Sequence, residues 1–331
     1  EAYRLLLGDK GHKIKLRLLR GPRLEPDTVR ATVKLDLLEP HSVGLSRMLD
    51  PTTGYIRFQQ FFSKGGEELD RAIKDLKRGG AKRLVVDLRD NPGGAVIAAV
   101  EVAGLFLPKK TIIYRTDGRR ASARDTISTA SDGAYRDLPL MLLIDNGSAS
   151  ASELVAASLQ DHDRALLLGR RSFGKALIQQ AFPVPPQGDL VWLTVARIYS
   201  PSGRIIQRSY RGIKAEQYYD FAGRTGTEQD TSAVFHTDGG RAVRGGGGIN
   251  PDVVLPKTPD FPAWWSIAAD SGWIEAISDS VANLLPKDPA GQKQWMTATA
   301  EWNSRLVVPF LQRARERLHV TIPSDTALES R

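Results

Sequence analysis

The stretch Leu140–Asp161 constrains the fold of this chain more than any other. It opens with an uninterrupted apolar run, LMLLI, which has the length of a strand that is buried on both faces. The run ends at the turn signal Asp145–Gly147, and residues that favour helix follow from Glu153. Three serines therefore lie at a strand-to-helix corner, namely Ser148, Ser150 and Ser152.

A corner of this kind permits two interpretations of the serines. The first amides of a helix have no partner within it, so a hydroxyl at the corner lies beside unpaired N–H groups. Acyl transfer needs this combination of a nucleophile and donors for the developing oxyanion. Alternatively, the serines only cap the helix, which is a common role for serine.

Composition narrows the class of protein. The chain has 331 residues, enough for about two domains, with the hydrophobic and charged content of a soluble globular protein. Its net charge of +8 is not interleaved with aromatic residues, which argues against a single-strand nucleic-acid groove. The absence of cysteine excludes disulfides, thiolate metal sites and a cysteine nucleophile.

A second corner repeats the plan of the first. The strand Arg83–Arg89 leads into the glycine-rich turn Asp90–Gly94 and then into an apolar helix, Ala95–Leu107. A short strand, Gly54–Phe58, and a helical stretch, Gly66–Arg78, precede it. Successive βα units predict a mainly parallel sheet with both corners at its carboxyl edge, where ligands bind in such sheets.

The flanking segments carry simpler patterns. Lys13–Arg20 and Thr28–Leu35 alternate as half-buried strands, and His41–Asp50 reads as an irregular link. Ile178–Val184 and Leu190–Tyr199 flank a turn and predict a hairpin.

From residue 261 the pattern becomes helical, and one apolar stripe is evident. The stripe is explained by packing onto the sheet domain or by a contact between subunits. It contains Trp295, Trp302, Leu306 and Phe310.

A serine nucleophile needs a base within hydrogen-bonding reach. His162 is twelve residues beyond Ser150, which places it about 18 Å away along a helix. The other four histidines lie in segments whose position the sequence does not fix, so a histidine base is disfavoured but stays an alternative. A neutral lysine can serve instead, since burial lowers the pKa of a lysine. Lys175 follows Phe173 and precedes an apolar strand that can return to the serine corner. The alternative is an exposed lysine at the end of a strand.

Six motifs stand out along the chain, namely Asp87–Gly94, Gly147–Glu153, Leu159–Asp161, Phe173–Lys175 with Gln179, Tyr199–Arg204 and Gly247–Asp252. Their order resembles that of carboxy-terminal processing proteases, the tail-specific serine proteases with a Ser–Lys dyad. The resemblance covers roughly residues 54–256, and residues 1–20 resemble the last helix and strand of the PDZ domain that precedes the family's protease core.

The resemblance implies roles for individual residues. The middle serine, Ser150, is the nucleophile and Lys175 is the base, at the family's spacing of 25 residues. Gln179 helps to hold the lysine. The amides of Ala151 and Gly94 form the oxyanion hole, with that of Gly93 as the alternative to Gly94.

The sequence departs from the family pattern at two positions. Ala176 stands where glycine is usual after the lysine, and Asp90 stands where a small residue is common. Alanine at position 176 requires a negative φ.

The resemblance also implies an architecture. We expect an α/β fold whose mainly parallel protease core is of the ClpP/crotonase-like kind. The expected domains are a PDZ remnant over residues 1–22, the core over 23–257 and a helical region over 258–331.

If the PDZ domain positions the lysine, a chain without all of it should hold Ser150 Oγ and Lys175 Nζ more than about 3.5 Å apart. Alternatively, the core is preformed and the PDZ domain only recruits substrate.

The implied function is that of a serine endopeptidase acting near exposed, often apolar C-terminal tails of proteins, without a metal or other cofactor. Protein or peptide substrates are the expected partners. A homo-oligomer is possible, nucleic acid is not expected, and membrane association would involve only segments outside this sequence. The expected location is extracytoplasmic, in the periplasm or cell envelope.

The competing hypotheses are a catalytically silent peptide-binding scaffold of the same fold and a polyanion or cell-wall binder that uses the positive charge.

Overall fold

A computed structural model describes residues 7–20, 27–37, 40–185, 189–214 and 233–256, together with residues 216, 218, 288, 291, 308, 312 and 316. The chain divides into two compact units, residues 1–38 with 258–331, and residues 39–257. No helix among the described residues is both long and apolar enough to cross a membrane. The predicted C-terminal helical stripe lies outside the described residues.

The described part of the first unit is an antiparallel strand pair. β1 (Lys13–Arg20) and β2 (Asp27–Lys34) are in register from Lys13 opposite Lys34 to Arg20 opposite Asp27. The predicted strands are therefore present. β2, which the sequence prediction placed in the core range, pairs with β1. The assignment of this pair to a PDZ domain stays a prediction.

The second unit is built on a six-stranded sheet of order β14-β9-β8-β5-β4-β3. Every neighbouring pair is parallel except β3 with β4, so the predicted mainly parallel sheet is present. The strands are β3 (Val43–Asp50), β4 (Thr53–Phe58), β5 (Arg83–Asp87), β8 (Leu140–Ile144), β9 (Leu166–Gly169) and β14 (Val253–Val254).

Three helices connect or follow these strands and complete the core, so the α/β class is confirmed. α1 (Gly65–Arg78) buries its apolar face, which includes Leu69 and Ile73, and α2 (Val96–Gly104) packs against it. α3 (Ala151–Asp161) follows the serine corner and is buried along its whole length. This burial explains why its sequence is apolar or small apart from Glu153, Gln160 and Asp161, whose side chains form buried hydrogen bonds.

The prediction of an irregular link over residues 41–50 was wrong. This segment contains β3, which forms a hairpin with β4 through a turn at Asp50, whose Oδ1 accepts hydrogen bonds from the amides of Thr52 and Thr53. β3 is an edge strand with two register shifts and mostly exposed side chains. No alternation of apolar and polar residues therefore marks it in the sequence.

A second sheet of order β10-β11-β6-β7 is antiparallel throughout. The predicted hairpin is present as β10 and β11, and β12 and β13 form a separate small hairpin. A 3₁₀ turn at Ala121–Ala123 precedes β7. The strands are β6 (Ile112–Gly118), β7 (Asp125–Ser128), β10 (Leu177–Val184), β11 (Asp189–Tyr199), β12 (Val234–His236) and β13 (Ala242–Arg244).

A buried polar network anchors the C-terminal end of α3. The Arg204 side chain donates to Gln160 Oε1 and to Asp161 Oδ1, each at 2.7 Å. Gln160 in turn donates to Asp252 Oδ1 at 2.8 Å, and Asp161 Oδ2 accepts from the amide of Ser202 at 3.0 Å. Three of the motifs singled out in the sequence, those around residues 159–161, 199–204 and 247–252, therefore contact one another in the folded chain.

Candidate active site

The two corners lie side by side at the carboxyl edge of the parallel sheet. β5 and β8 are parallel neighbours, with Asp87 opposite Leu143, so the segments that follow them meet. A Cβ added to Gly93 would lie 2.8 Å from both Ser150 Cβ and Ala151 N, and Gly93 has a φ of 97°. Only glycine fits this approach without strain.

Hydrogen bonds across the corners distinguish the three serines. Ser148 Oγ donates to the carbonyl of Leu88 at 2.7 Å and accepts from the amide of Asp145 at 2.9 Å. Ser152 Oγ donates to the carbonyl of Asn91 at 2.9 Å. Both serines are buried, whereas Ser150 is partly exposed. Ser150 is therefore the serine of the three that a substrate can reach.

Ser150 occupies the N-cap position of α3 with an unusual backbone, φ 55° and ψ −113°. A positive φ at a residue other than glycine carries a cost of order 1–3 kcal/mol and concentrates at functional sites. Hydrogen bonds hold this conformation. The amide of Ser150 donates to Glu153 Oε2 at 2.9 Å, and its carbonyl accepts from the amides of Glu153 and Leu154.

Asn91 holds the glycine-rich turn against the serine corner. Its side chain is fully buried, donating to the carbonyl of Phe58 at 2.7 Å and accepting from the amide of Gly93 at 2.9 Å. Its own carbonyl accepts from the amide of Ala149 at 3.0 Å as well as from Ser152. Asn91 therefore joins the end of β4, its own turn and the serine corner.

Two backbone amides at the corners donate no hydrogen bond to any other described residue, those of Gly94 and Ala151. Phe61 bonds to the carbonyl of Gly93 and to the amide of Ala95, so the N–H of Gly94 between them points away from Phe61. The amide of Gly93 is already bonded to Asn91. Of the two glycines, Gly94 is therefore the one with an amide available to a substrate.

The backbone amide of Lys175 contacts this site. Its amide donates to Glu153 Oε2 at 2.8 Å, the oxygen that also accepts from Ser150. The expected burial of Lys175 beside Phe173 is not found: Phe173 is buried, but the lysine is exposed. No hydrogen bond joins Ser150 Oγ and Lys175 Nζ among the described residues. The separation of these two atoms beyond hydrogen-bonding distance stays a prediction.

The segment around Lys175 is held by residues to which the sequence assigned no role. The amide of Ala176 donates to Gln207 Oε1 at 2.7 Å. The guanidinium of Arg208 lies over the rings of Phe173 and Tyr218, at 4.9 and 4.3 Å from their centroids. Cation–π contacts of this kind stabilise the packing of the guanidinium against the two rings. No local pattern in the sequence marks these contacts, because residues 207 and 208 lie in an irregular segment.

The remaining predicted residues occupy mixed positions. Gln179 lies exposed on β10 at a register shift, and its side chain makes no hydrogen bond to the described residues. Its role stays a prediction.

Ala176 has a negative φ, as required for alanine there, and Asp90 has a φ of 53°, which aspartate tolerates better than most residues. His162 is committed elsewhere, since its ring nitrogens contact Asp238 Oδ2 and the carbonyl of Ile112, each at 2.7 Å.

Glu153 is the residue whose importance the sequence did not reveal. It belongs to the serine motif, and its side chain is fully buried. Oε1 accepts from Ser172 Oγ at 2.5 Å and from the amide of Gly174 at 2.6 Å, in addition to the two bonds that Oε2 accepts. Burial, the largest influence, raises the pKa of Glu153 to about 6, although all four hydrogen bonds favour the charged form.

A second buried carboxylate, Asp87, precedes the glycine-rich turn. It accepts from the hydroxyl of Tyr55 at 2.7 Å and from three nitrogens of Arg89, the backbone amide and two of the guanidinium, and it pairs with Arg57 at 2.9 Å. Burial alone would raise the pKa of Asp87, but these hydrogen bonds and the charge of Arg57 together hold it below its usual value. The network braces the backbone that leads into the turn.

The fold and this corner geometry define a class of serine-type peptidases, and comparison with protein families agrees. Residues 52–219 match the model of Peptidase family S41. The chain belongs to peptidase family S41, which confirms the resemblance stated from the motifs.

Curated relatives are processing proteases. The chain is 35% identical over 209 residues to a carboxyl-terminal-processing protease of Synechocystis sp., covering 63% of this chain and 48% of the relative. It is 32% identical over 216 residues to the carboxy-terminal processing protease CtpA of Bacillus subtilis, covering 65% and 44%. The chain thus spans about half the length of these relatives.

Among solved structures, the chain is similar to a photosystem II D1 C-terminal processing protease. The sequence identity is 25% and the TM-score 0.48, over 75% of this chain and 57% of that one.

Proposed function

We propose that this chain is the catalytic part of a serine endopeptidase with a Ser150–Lys175 dyad. The observation that carries the proposal is the position of Ser150. It is the partly exposed serine of the three, on a strained backbone, beside the unbonded amides of Gly94 and Ala151. Nucleophilic attack on a carbonyl needs this arrangement of a reachable hydroxyl and two donors.

The reaction would use the lysine as a general base. Neutral Lys175 takes the proton of the Ser150 hydroxyl as Oγ attacks the peptide carbonyl, and the two amides stabilise the oxyanion. The lysine then returns this proton to the leaving amine, and water hydrolyses the acyl-enzyme. Because Lys175 is exposed and forms no hydrogen bond with Ser150 Oγ in this structure, its side chain must move to complete the dyad. Gln179 is proposed to hold the lysine once it has moved.

Apolar side chains beside the oxyanion donors support a preference for apolar peptide segments. Val96 and Ile97, at the start of α2, directly follow the glycine-rich turn and are 37% and 60% exposed. Exposed apolar residues next to a reactive corner are suited to contact apolar residues of a substrate. Together with the names of the relatives, this favours exposed C-terminal tails of proteins as substrates.

Further parts of the proposal rest on the family resemblance. They are the PDZ remnant at residues 1–22, the ClpP/crotonase-like relationship of the core, the helical region at residues 258–331 and an extracytoplasmic location. Tail recognition by a PDZ domain and assembly into a homo-oligomer belong to the same set.

Labelling by a fluorophosphonate probe tests the function. We expect the wild type to be labelled at Ser150, with no labelling of Ser150→Ala. Ser152→Ala is the matched control, because it removes a hydroxyl from the same corner and should still be labelled. Cleavage of an unfolded test protein should follow the same pattern, and labelling that persists in Ser150→Ala would refute the assignment.

The second candidate is a catalytically silent peptide-binding scaffold. The observation in its favour is the exposed lysine, which lacks a hydrogen bond to Ser150 Oγ among the described residues. It predicts no labelling and no cleavage by the wild type, together with binding of apolar peptides that is unchanged in Ser150→Ala.

A further inference from the structure

One carboxylate connects the nucleophile to the segment that carries the base. Glu153 Oε2 accepts from the amide of Ser150 at 2.9 Å and from the amide of Lys175 at 2.8 Å. The two amide nitrogens are therefore no further apart than the sum of these distances. Since 22 residues separate Glu153 from Lys175, this bond joins two distant parts of the chain.

The other oxygen of Glu153 extends the same connection. Oε1 accepts from Ser172 Oγ and from the amide of Gly174, which lie three residues and one residue before Lys175. Ser172 Oγ also accepts from the amide of Ile249 at 2.6 Å, which orients its proton toward Glu153. Four donors therefore surround one fully buried carboxylate, which forms no ion pair with any described residue.

We propose that Glu153 is a positioning residue that holds the Ser150 corner and the Lys175 segment in register, so that the lysine side chain can reach the serine hydroxyl. This inference rests on the proposed Ser–Lys mechanism and identifies the residue that aligns the two members of the dyad. Glu153 does not touch the reacting atoms. It acts through the backbone of both members of the dyad.

The alignment requires the ionised form of the carboxylate. An ionised carboxylate has acceptors on both oxygens, whereas a protonated acid or a glutamine carries hydrogens on one side. Such a hydrogen would face amide N–H groups, and at least one of the four bonds would be lost. Buried groups left without a partner are costly, so the two segments would move apart.

The protonation of Glu153 is set by burial and hydrogen bonds. Burial places its pKa at about 6, so the proton is taken up just below neutral pH. No charged side chain of the described residues forms an ion pair with Glu153. The charged residues on the surrounding segments are Arg171 and Lys175 in the lysine segment, Arg208 over the ring of Phe173, and Asp145 in the turn before Ser150. No charged group on α2, β6 or β9, which pack against α3, makes a described contact with Glu153.

Turnover of a chromogenic peptide by Glu153→Gln tests the inference. A displacement of about 1 Å in a catalytic group can lower the rate about 100-fold. We therefore expect kcat to fall by about that factor, with KM changed less than about 3-fold. In the wild type, the fall of kcat at low pH should include an ionisation near pH 6, and this acid limb should be absent from Glu153→Gln.

The matched control is Glu68→Gln. Glu68 also accepts two backbone amide bonds, from Ser42 at 2.8 Å and from Val43 at 3.2 Å, but neither amide belongs to the two corners or to the lysine segment. A purely structural role for Glu153 predicts similar effects of the two substitutions. The inference predicts that only Glu153→Gln lowers kcat.

A second variant keeps the inference testable if Glu153→Gln does not fold. Ser172→Ala removes a hydrogen bond to the charged form while keeping the carboxylate, which raises the pKa of Glu153 further. The acid limb of kcat should then move to higher pH by about half a unit or more. An unmoved limb, or wild-type kcat in folded Glu153→Gln, would overturn the inference. Failure of the wild type to be labelled at Ser150 would instead refute the proposed function.

Discussion

Arg204 and Asp161 form an ion pair at 2.7 Å in which both side chains are essentially inaccessible, with 0% and 1% of their surface exposed. The pair joins the last residue of α3, the helix whose N-cap is Ser150, to the loop after β11. Its energetic role differs from that of a surface pair, because neither charge can return to water while the chain is folded.

Removal of one partner of this pair should destabilise the fold strongly. We expect Arg204→Met to lower the free energy of unfolding by about 3–5 kcal/mol, since Asp161 then remains buried without its cation. Urea denaturation measures the change. The control is Arg78→Ala, which breaks an exposed pair with Asp75 and should cost at most about 1 kcal/mol. Equal effects of the two substitutions would contradict the assignment of Arg204 as a buried anchor.

Replacement of Gly93 should damage the reactive corner. Gly93→Ala introduces a Cβ only 2.8 Å from both Ser150 Cβ and Ala151 N, at a φ of 97° that alanine disfavours. We expect loss of fluorophosphonate labelling as well as lower stability. Gly104→Ala is the control, because Gly104 is helical and a Cβ there meets no atom within 4 Å. It should leave labelling unchanged, and wild-type labelling in both variants would refute the close approach of the two corners.

The two members of the dyad should act as one unit. Ser150→Ala and Lys175→Ala are each expected to lower kcat/KM for a peptide by at least about 1,000-fold, and the double variant should be no worse than either. Steady-state kinetics on the three variants measures this. Effects that multiply in the double variant would show that lysine and serine work in separate steps.

The buried serines should matter less than Ser150. Ser148→Ala and Ser152→Ala each remove a hydrogen bond across the corners and should cost about 0.5–1.5 kcal/mol of stability, with reduced but measurable peptide hydrolysis. Thermal unfolding and peptide assays measure both quantities. Complete inactivity of folded Ser152→Ala would move the nucleophile assignment away from Ser150.

The ionisation of Glu153 should oppose folding. Burial raises the pKa of Glu153 from 4.5 to about 6, so the folded state binds this proton more tightly than the unfolded state. Its contribution to stability is thus fully present below pH 4.5 and is lost as the pH rises through 6, a change of roughly 2 kcal/mol. The measurement is the difference in unfolding free energy between wild type and Glu153→Gln at pH 4.5 and pH 7.5. A difference that does not depend on pH would contradict the raised pKa.

Much of the fold followed from local patterns. The apolar runs before each corner predicted the buried strands β5 and β8, and the succession of βα units predicted their parallel pairing. The edge strand β3 escaped prediction because an exposed strand with two register shifts leaves no alternation in the sequence. β3 is a strand because it pairs with β4 in a hairpin, and its own composition does not indicate one.

The sequence by itself determined the two corners and their glycine and serine motifs, because turn residues and apolar runs act over a few neighbouring positions. The choice of Ser150 and Lys175 as the candidate pair came from the family resemblance that these motifs carry. Only the tertiary structure decided which serine is reachable and which glycine keeps its amide available. It also showed that Glu153 binds the lysine segment and that the lysine is exposed. These features depend on contacts between residues far apart in the chain, such as Ser152 with Asn91, and no local pattern records such contacts.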